Sequence, residues 1–284
     1  MVSFFKQASS RDPLSFVLRW LVYLAAGLAG LATSFIVVYI LLKGLPYLHL
    51  DLFSWTYSST NVSMLPALLN TVLMSVLSLA LALPIGIGAS IYLTEYASSS
   101  HPLVTVVRLA TETLSGIPSI VYGLFGALFF VKFLHMGLSM IAGAATLSIM
   151  ILPLIMRTTE EALLSVEEGY REGSFALGAG KLRTIFRVVL PSALPGIFSG
   201  IVLALGRVIG ESAALIFTAG TVAEVASRLT SSGRTLAVHM YVISGEGMYV
   251  NQTYATAVVL LLLVIVMNLL SEWIVGRLGR NRYE

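Results

Sequence analysis

A chain of 284 residues that is 57% hydrophobic and only 11% charged, with a mean hydropathy of +0.90, is not a soluble globular domain, in which about a quarter of residues carry charge. It falls in the polytopic membrane class. The absence of cysteine excludes a disulfide framework, a thiolate metal site and a cysteine nucleophile, and the net charge of +3 fits basic cytoplasmic loops better than nucleic-acid binding.

Residues 1–19 form a polar segment with Lys6 and Arg11. A first span is predicted over 20–42. Its apolar stretch is too long for a signal peptide and no small-residue cleavage site follows, so it is expected to stay as an anchor. Ala26, Gly30 and Ser34 give it a face suited to close helix contact. Residues 44–64 contain no Lys or Arg but hold Tyr47, Trp55 and Tyr57, aromatics of the kind found at membrane interfaces. A second span is predicted over 65–93, interrupted by Pro84, Gly86 and Gly88. Residues 94–110 read as a short loop with Glu95, His101 and Arg108. A third span follows over 114–133, with Gly116 and Pro118 at its start. A fourth covers 138–156, with Arg157 at its boundary. The fifth, 196–219, contains Arg207 and Glu211. Residues 220–252 read as a long polar loop with Arg228, Arg234 and His239. A sixth span, 253–273, precedes a tail, 277–284, with Arg277, Arg280 and Arg282.

Six spans put both termini on one side. That side, made of the N-terminal segment, 94–110, 157–191 and the tail, then carries 12 of the 17 Lys and Arg residues. The other side carries Lys43, Lys132, Arg228 and Arg234, and Arg207 alone lies inside a span. The excess of basic residues predicts a cytoplasmic location for the first side.

The longest interruption of the apolar second half is Glu172 to Pro191, EGSFALGAGKLRTIFRVVLP. Its glycines at 173, 178 and 180 break it into short helical pieces. After Gly180, Leu182, Ile185, Phe186 and Val189 form one stripe, with Lys181, Arg183 and Arg187 elsewhere. This is an amphipathic helix that Pro191 is expected to stop. Such a helix–turn–helix between spans suits docking on a soluble partner. The spacing resembles the coupling loop of importer-type ABC permeases, E-A-A-x3-G-x9-I-x-L-P. Glu172, Gly178, Leu190 and Pro191 fall in register, while Gly173 and Ser174 replace the two alanines and Val188 the isoleucine. The resemblance implies that these residues dock on a separate ATPase and pass on its motion. An uncoupled amphipathic connector is the alternative.

Arg207 and Glu211 are four residues apart in LALGRVIGESAALIF, so an uninterrupted helix would place them on one face. A charge at the bilayer centre costs about 3 kcal/mol on insertion scales. The pair is therefore either a structural ion pair or a site for a charged solute, and an arginine fork suits phosphate-type oxyanions. Glu211 would hold and partly neutralise Arg207. Arg157 is either a snorkelling boundary residue or a second station nearer the cytoplasm.

The segments GIPSIVYGLFG, RTTEEAL and GRVIGESAALIFTAG narrow the resemblance to the PstA family of phosphate-importer permeases, over about residues 65–276. What it implies is an all-α, six-helix permease of the type I ABC importer (MetI-like) fold, with a coupling loop at 157–191. Implied partners are inorganic phosphate, a second (PstC-like) permease, a PstB-like ATPase dimer, an extracytoplasmic PstS-like phosphate-binding protein and membrane lipid, with no nucleic acid and no cofactor. Arg157 and Arg207, with Glu211, are the implied solute-path residues. Sulfate, molybdate or phosphonate would suit the same chemistry, and a stand-alone anion channel is a further alternative. No Walker A, H-E-x-x-H or G-x-S-x-G pattern occurs, so the chain is expected to be a transport subunit rather than an enzyme, with neither catalytic nor metal-ligating residues.

Overall fold

The computed structural model describes residues 13–97 and 101–280. Lys6, Arg11 and Arg282 lie outside the described residues, as do residues 281–284 of the predicted tail. Among the described residues the regular structure is helical throughout. Helix α1 spans Pro13–Gly44. Helix α2, Leu65–Ile91, runs on into a π-wound turn, Tyr92–Tyr96. Helix α3 is Pro102–Ser115 and α4 is Ser119–Gly126, extended by a π-wound stretch, Ala127–Phe133. Helix α5 spans Met140–Leu164 and α6 Glu168–Ala176. Helix α7 runs Lys181–Ile209, with a π-wound turn at Ile185–Val189. Helices α8, Ala213–Thr218, and α9, Leu236–Gly245, precede α10, Val250–Arg280.

Five of these helices are long and apolar enough to cross a membrane, and a sixth crossing is supplied if α3 and Ser119–Phe133 are taken as one pair, bent by 105°. The packing requires that sixth crossing. Ser148 Oγ donates to Ser78 O at 3.0 Å and Ser90 Oγ to Met156 O at 2.9 Å, so α2 and α5 run parallel. The chain between them must cross back, and α4 with its extension does so. By contrast α5 and α7 run antiparallel, since a Cβ on Gly196 would meet Ala162 and one on Gly200 would strike Thr158.

The core sits around α5. Met140, Leu147, Met150, Ile151 and Ile155 are all buried there, against Met74 and Ala82 of α2, Tyr122 of α4, Ala204 and Val208 of α7 and Leu215 of α8. Serine-to-carbonyl bonds between α2 and α5 add polar contacts that lipid cannot replace. Helix α1 is peripheral. It meets α10 near its end, where Tyr39 packs edge-on to Tyr254 and Gly44 abuts Tyr254 and Val258. A Cβ on Gly30 would meet nothing within 4 Å, so among the described residues nothing packs on α1 there.

Five sequence expectations change. The third span is broken at Gly116–Pro118, and most of the expected 94–110 loop is π turn and helix. Pro118 lacks an N–H and disfavours helical geometry at Ile117, and the Tyr122 hydroxyl braces the bend by donating to Leu114 O at 2.7 Å. The fourth span continues past Met156 to Leu164. Pro191 does not stop α7, because the wide turn at Ile185–Val189 precedes it and loosens the ladder where the proline ring would clash. The expected loop at 220–252 folds inward. Its α9 buries Leu236, Ala237, Val238, His239 and Ile243. Asn70 of α2 donates to Glu224 O at 2.8 Å and accepts from Ala226 N–H at 3.0 Å, and Thr71 Oγ1 accepts from Leu236 N–H at 2.8 Å. These bonds satisfy backbone groups that burial would otherwise leave without water.

Candidate functional site

Two regions collect the residues singled out from the sequence. The first is the turn between α6 and α7. Helix α6 ends in a Schellman motif: Gly178 N–H donates to Phe175 O at 2.9 Å and Ala179 N–H to Ser174 O at 3.1 Å. Gly178 stands at φ +79°, the left-handed region that other residues enter at a cost. Ser174 Oγ and Thr184 Oγ1 lie 2.8 Å apart and close the turn. Glu172 and Gly173 are exposed, and Leu177 at the tip is 90% exposed beside exposed Phe175. Val188, Leu190 and Pro191 are half-buried on α7 instead, where Leu190 packs against the cluster of Leu163, Val189 and Ala193. The predicted set thus divides into an exposed tip, a turn and a packed stem.

One residue holding this region escaped sequence reasoning, which counted Arg171 only as a cytoplasmic charge. Its Nη2 donates to Glu95 Oε1 at 2.9 Å and Leu163 O at 3.0 Å, and its Nη1 to Val166 O at 2.9 Å and Glu168 Oε2 at 3.3 Å. The Arg171 and Glu95 side chains are 11% and 9% exposed, whereas Glu168 is 72% exposed. Lys181 Nζ sits 5.0 Å from the centre of the Tyr96 ring. Both contacts fasten the turn to the π-wound end of α2. The available signal was a carboxylate, Glu95, at the end of an apolar span, but its partner lies 76 residues away.

The second region is the polar face of α5 and α7. Arg207 and Glu211 do not share a helix face, because α7 ends at Ile209 and Gly210 caps it. Among the described residues they form no ion pair. Glu211, 9% exposed, accepts instead from Ala214 N–H at 3.1 Å, capping the first turn of α8. Arg207 is half-buried. Arg157 is 74% exposed on its side chain and paired with Glu161 at 3.0 Å. It lies inside α5, not at its end. The α5–α7 register puts Arg207 level with Ile151, so the two arginines are separated by ~9 Å along the bundle. Arg157 is nearer the end that carries α6.

Residues 82–282 match the family model described as the binding-protein-dependent transport system inner membrane component. The chain is 32% identical over 281 residues to the "Probable ABC transporter permease protein YqgI" of Bacillus subtilis, covering 88% of this chain and 94% of that protein. It is 38% identical over 185 residues to the phosphate transport system permease protein PstA of Xylella fastidiosa, covering 62% of each. Against PstA of Mycobacterium leprae it is 36% identical over 173 residues, covering 58% of this chain and 56% of that protein. Among solved structures, an inward-facing MetNI methionine ABC transporter chain superposes with TM-score 0.60 at 21% identity, over 76% of this chain and 94% of that one. A bacterial alginate ABC transporter chain superposes with TM-score 0.64 at 15% identity, over 92% and 96%. The shared fold, the exposed turn at the α6 end and the matched residues converge: this chain belongs to the family of binding-protein-dependent transport system inner membrane components.

Proposed function

We propose that this chain is a permease subunit of an ATP-driven importer that carries inorganic phosphate into the cell. The observation that carries this reading is the set of relatives named as phosphate transport permeases, at 33% to 38% identity. The Glu172–Pro191 segment supports it. In this reading the chain lies in the plasma or inner membrane with both termini cytoplasmic. It pairs with a second, PstC-like permease, and a PstS-like binding protein delivers phosphate from outside. A PstB-like ATPase dimer receives the tip of α6, where Phe175 and Leu177 stand uncovered.

Closure of the ATPase dimer on ATP pulls α6. Arg171–Glu95 and Lys181–Tyr96 carry that pull into α2, and the serine bonds between α2 and α5 carry it onward. The face bearing Arg207 and Arg157 then turns between outer and inner access. Arg207 offers the anion a planar fork of donors. Arg157 is a later station, freed from Glu161 when the anion arrives. The test is uptake of labelled phosphate by cells with and without this chain, with sulfate as competitor. Chain-dependent uptake that phosphate but not sulfate suppresses is expected, and sulfate suppression equal to that by phosphate would overturn the substrate assignment.

A further inference from the structure

The segment between α8 and α10 buries more hydrogen-bonding groups than it satisfies. Arg234 is 4% exposed, Thr235 1% and His239 0%. Among the described residues Arg234 Nη2, Thr235 Oγ1 and both ring nitrogens of His239 have no hydrogen-bond partner. Among the described residues no carboxylate pairs with Arg234. Thr235 occupies the N-cap of α9, yet its hydroxyl makes no capping bond, although capping is the usual service of a threonine there. Buried polar groups are ordinarily paired, and a lone buried cation is among the costliest exceptions.

The Tyr57 side chain touches two members of this cluster. The Tyr57 ring lies 4.5 Å from the Arg234 guanidinium carbon and 6.1 Å from the His239 ring, edge-on at 87°. Tyr57 is half-exposed, so it stands between the cluster and the outside. Its loop is closed on itself, with Val62 N–H donating to Ser58 O and Ser58 N–H to Asn61 Oδ1, both at 2.9 Å.

We propose that Arg234, Thr235 and His239, under Tyr57, form an oxyanion station on the extracytoplasmic side that selects hydrogen phosphate over sulfate. The proposal rests on the reading of the chain as a phosphate importer's permease. The chemistry matches group by group. Arg234 Nη2, the Thr235 hydroxyl and one His239 N–H are three unused donors for anionic oxygens. In the empty station burial and the Arg234 charge hold the His239 pKa down at about 3, so an arriving anion meets a neutral ring with one nitrogen a bare acceptor. Hydrogen phosphate has a P–OH to donate to that nitrogen. Sulfate at neutral pH has no proton and would leave the nitrogen unmet, a penalty that rejects it. Half-exposed Tyr57 is the moving part, because the bonds that close its loop run through Ser58, Asn61 and Val62 rather than its side chain.

The chain lacks cysteine, so Tyr57→Cys introduces one thiol at the cover of the station. In cells carrying the assembled importer, its reaction with an anionic methanethiosulfonate reagent should outpace that with a cationic one. Relative to the same ratio at exposed Ser59→Cys, the preference should be about tenfold, as a focused positive potential gives. Arg234→Gln in the Tyr57→Cys background should remove the preference. External phosphate should slow the reaction and sulfate should not. Equal reagent rates, or equal protection by the two anions, would overturn the station. This measurement needs no transport, so it fails independently of the import assay above. In import, His239→Phe should admit competition by sulfate at unchanged membrane abundance, whereas His239→Asn, which keeps a donor and an acceptor, should retain phosphate selectivity. Unaltered selectivity in His239→Phe would reduce the cluster to packing.

Discussion

Replacing Arg171 with Met should loosen α6 from the rest of the bundle and uncouple ATP hydrolysis from transport. Arg171 makes four side-chain hydrogen bonds. The one to Glu168 counts for little, because that carboxylate is 72% exposed and a solvated pair is worth at most about 1 kcal/mol. The pair with Glu95 is different, since the two side chains are 11% and 9% exposed. Removing one partner of a buried pair costs about 3–5 kcal/mol, chiefly by stranding the other charge. A 3 kcal/mol loss multiplies the population with α6 detached by about a hundredfold. The assay is amide hydrogen exchange across α6, with phosphate transported per ATP hydrolysed, in the assembled importer at equal membrane abundance. Protection of α6 should fall about a hundredfold, in line with the detached population, and the transport ratio should drop below that of the unaltered importer. Glu95→Met combined with Arg171→Met leaves no stranded charge and should recover most of the protection, a coupling that a double-mutant cycle measures directly. Full protection of α6 and wild-type coupling in Arg171→Met alone would refute the strap.

Gly178→Val should insert normally yet abolish transport-linked ATP hydrolysis. Its φ of +79° costs a β-branched residue about 2 kcal/mol or more, and normal stimulated hydrolysis would remove the docking assignment. Single cysteines at Ser58, Ser99, Ser174 and Ser231 test the topology: an impermeant thiol reagent on intact cells should label the first and last, and labelling at Ser174→Cys would invert the orientation. Glu211 caps α8 and does not pair with Arg207, so Glu211→Gln and Arg207→Gln should have stability effects additive to within about 0.5 kcal/mol. A larger coupling between them, measured in detergent unfolding, would restore the ion-pair view. Arg207→Lys keeps the charge but loses the planar fork, so phosphate uptake should fall more than protein abundance; proportional losses would leave Arg207 a structural residue.

Composition and spacing by themselves determined the membrane class, the positions of most apolar segments and the exposed turn around Gly178. Each of these depends on local chemistry: a run of apolar side chains must leave water, and a glycine can enter a left-handed turn wherever it stands. Only the tertiary structure decided which interruptions bend the chain. Pro118 breaks a helix, while Pro84, Pro153 and Pro195 lie inside helices, because the outcome depends on which neighbours satisfy the freed carbonyl. The shared face expected for Arg207 and Glu211 required a continuous helix, and Gly210 ends it. The polar composition of 220–252 concealed a buried helix, since Asn70 and Thr71 on a distant helix supply the bonds that water would otherwise make. The partner of Arg171 was illegible for the same reason: a charge shows in the sequence, but whether it is solvated, stranded or paired depends on what the fold brings within 3–4 Å of it.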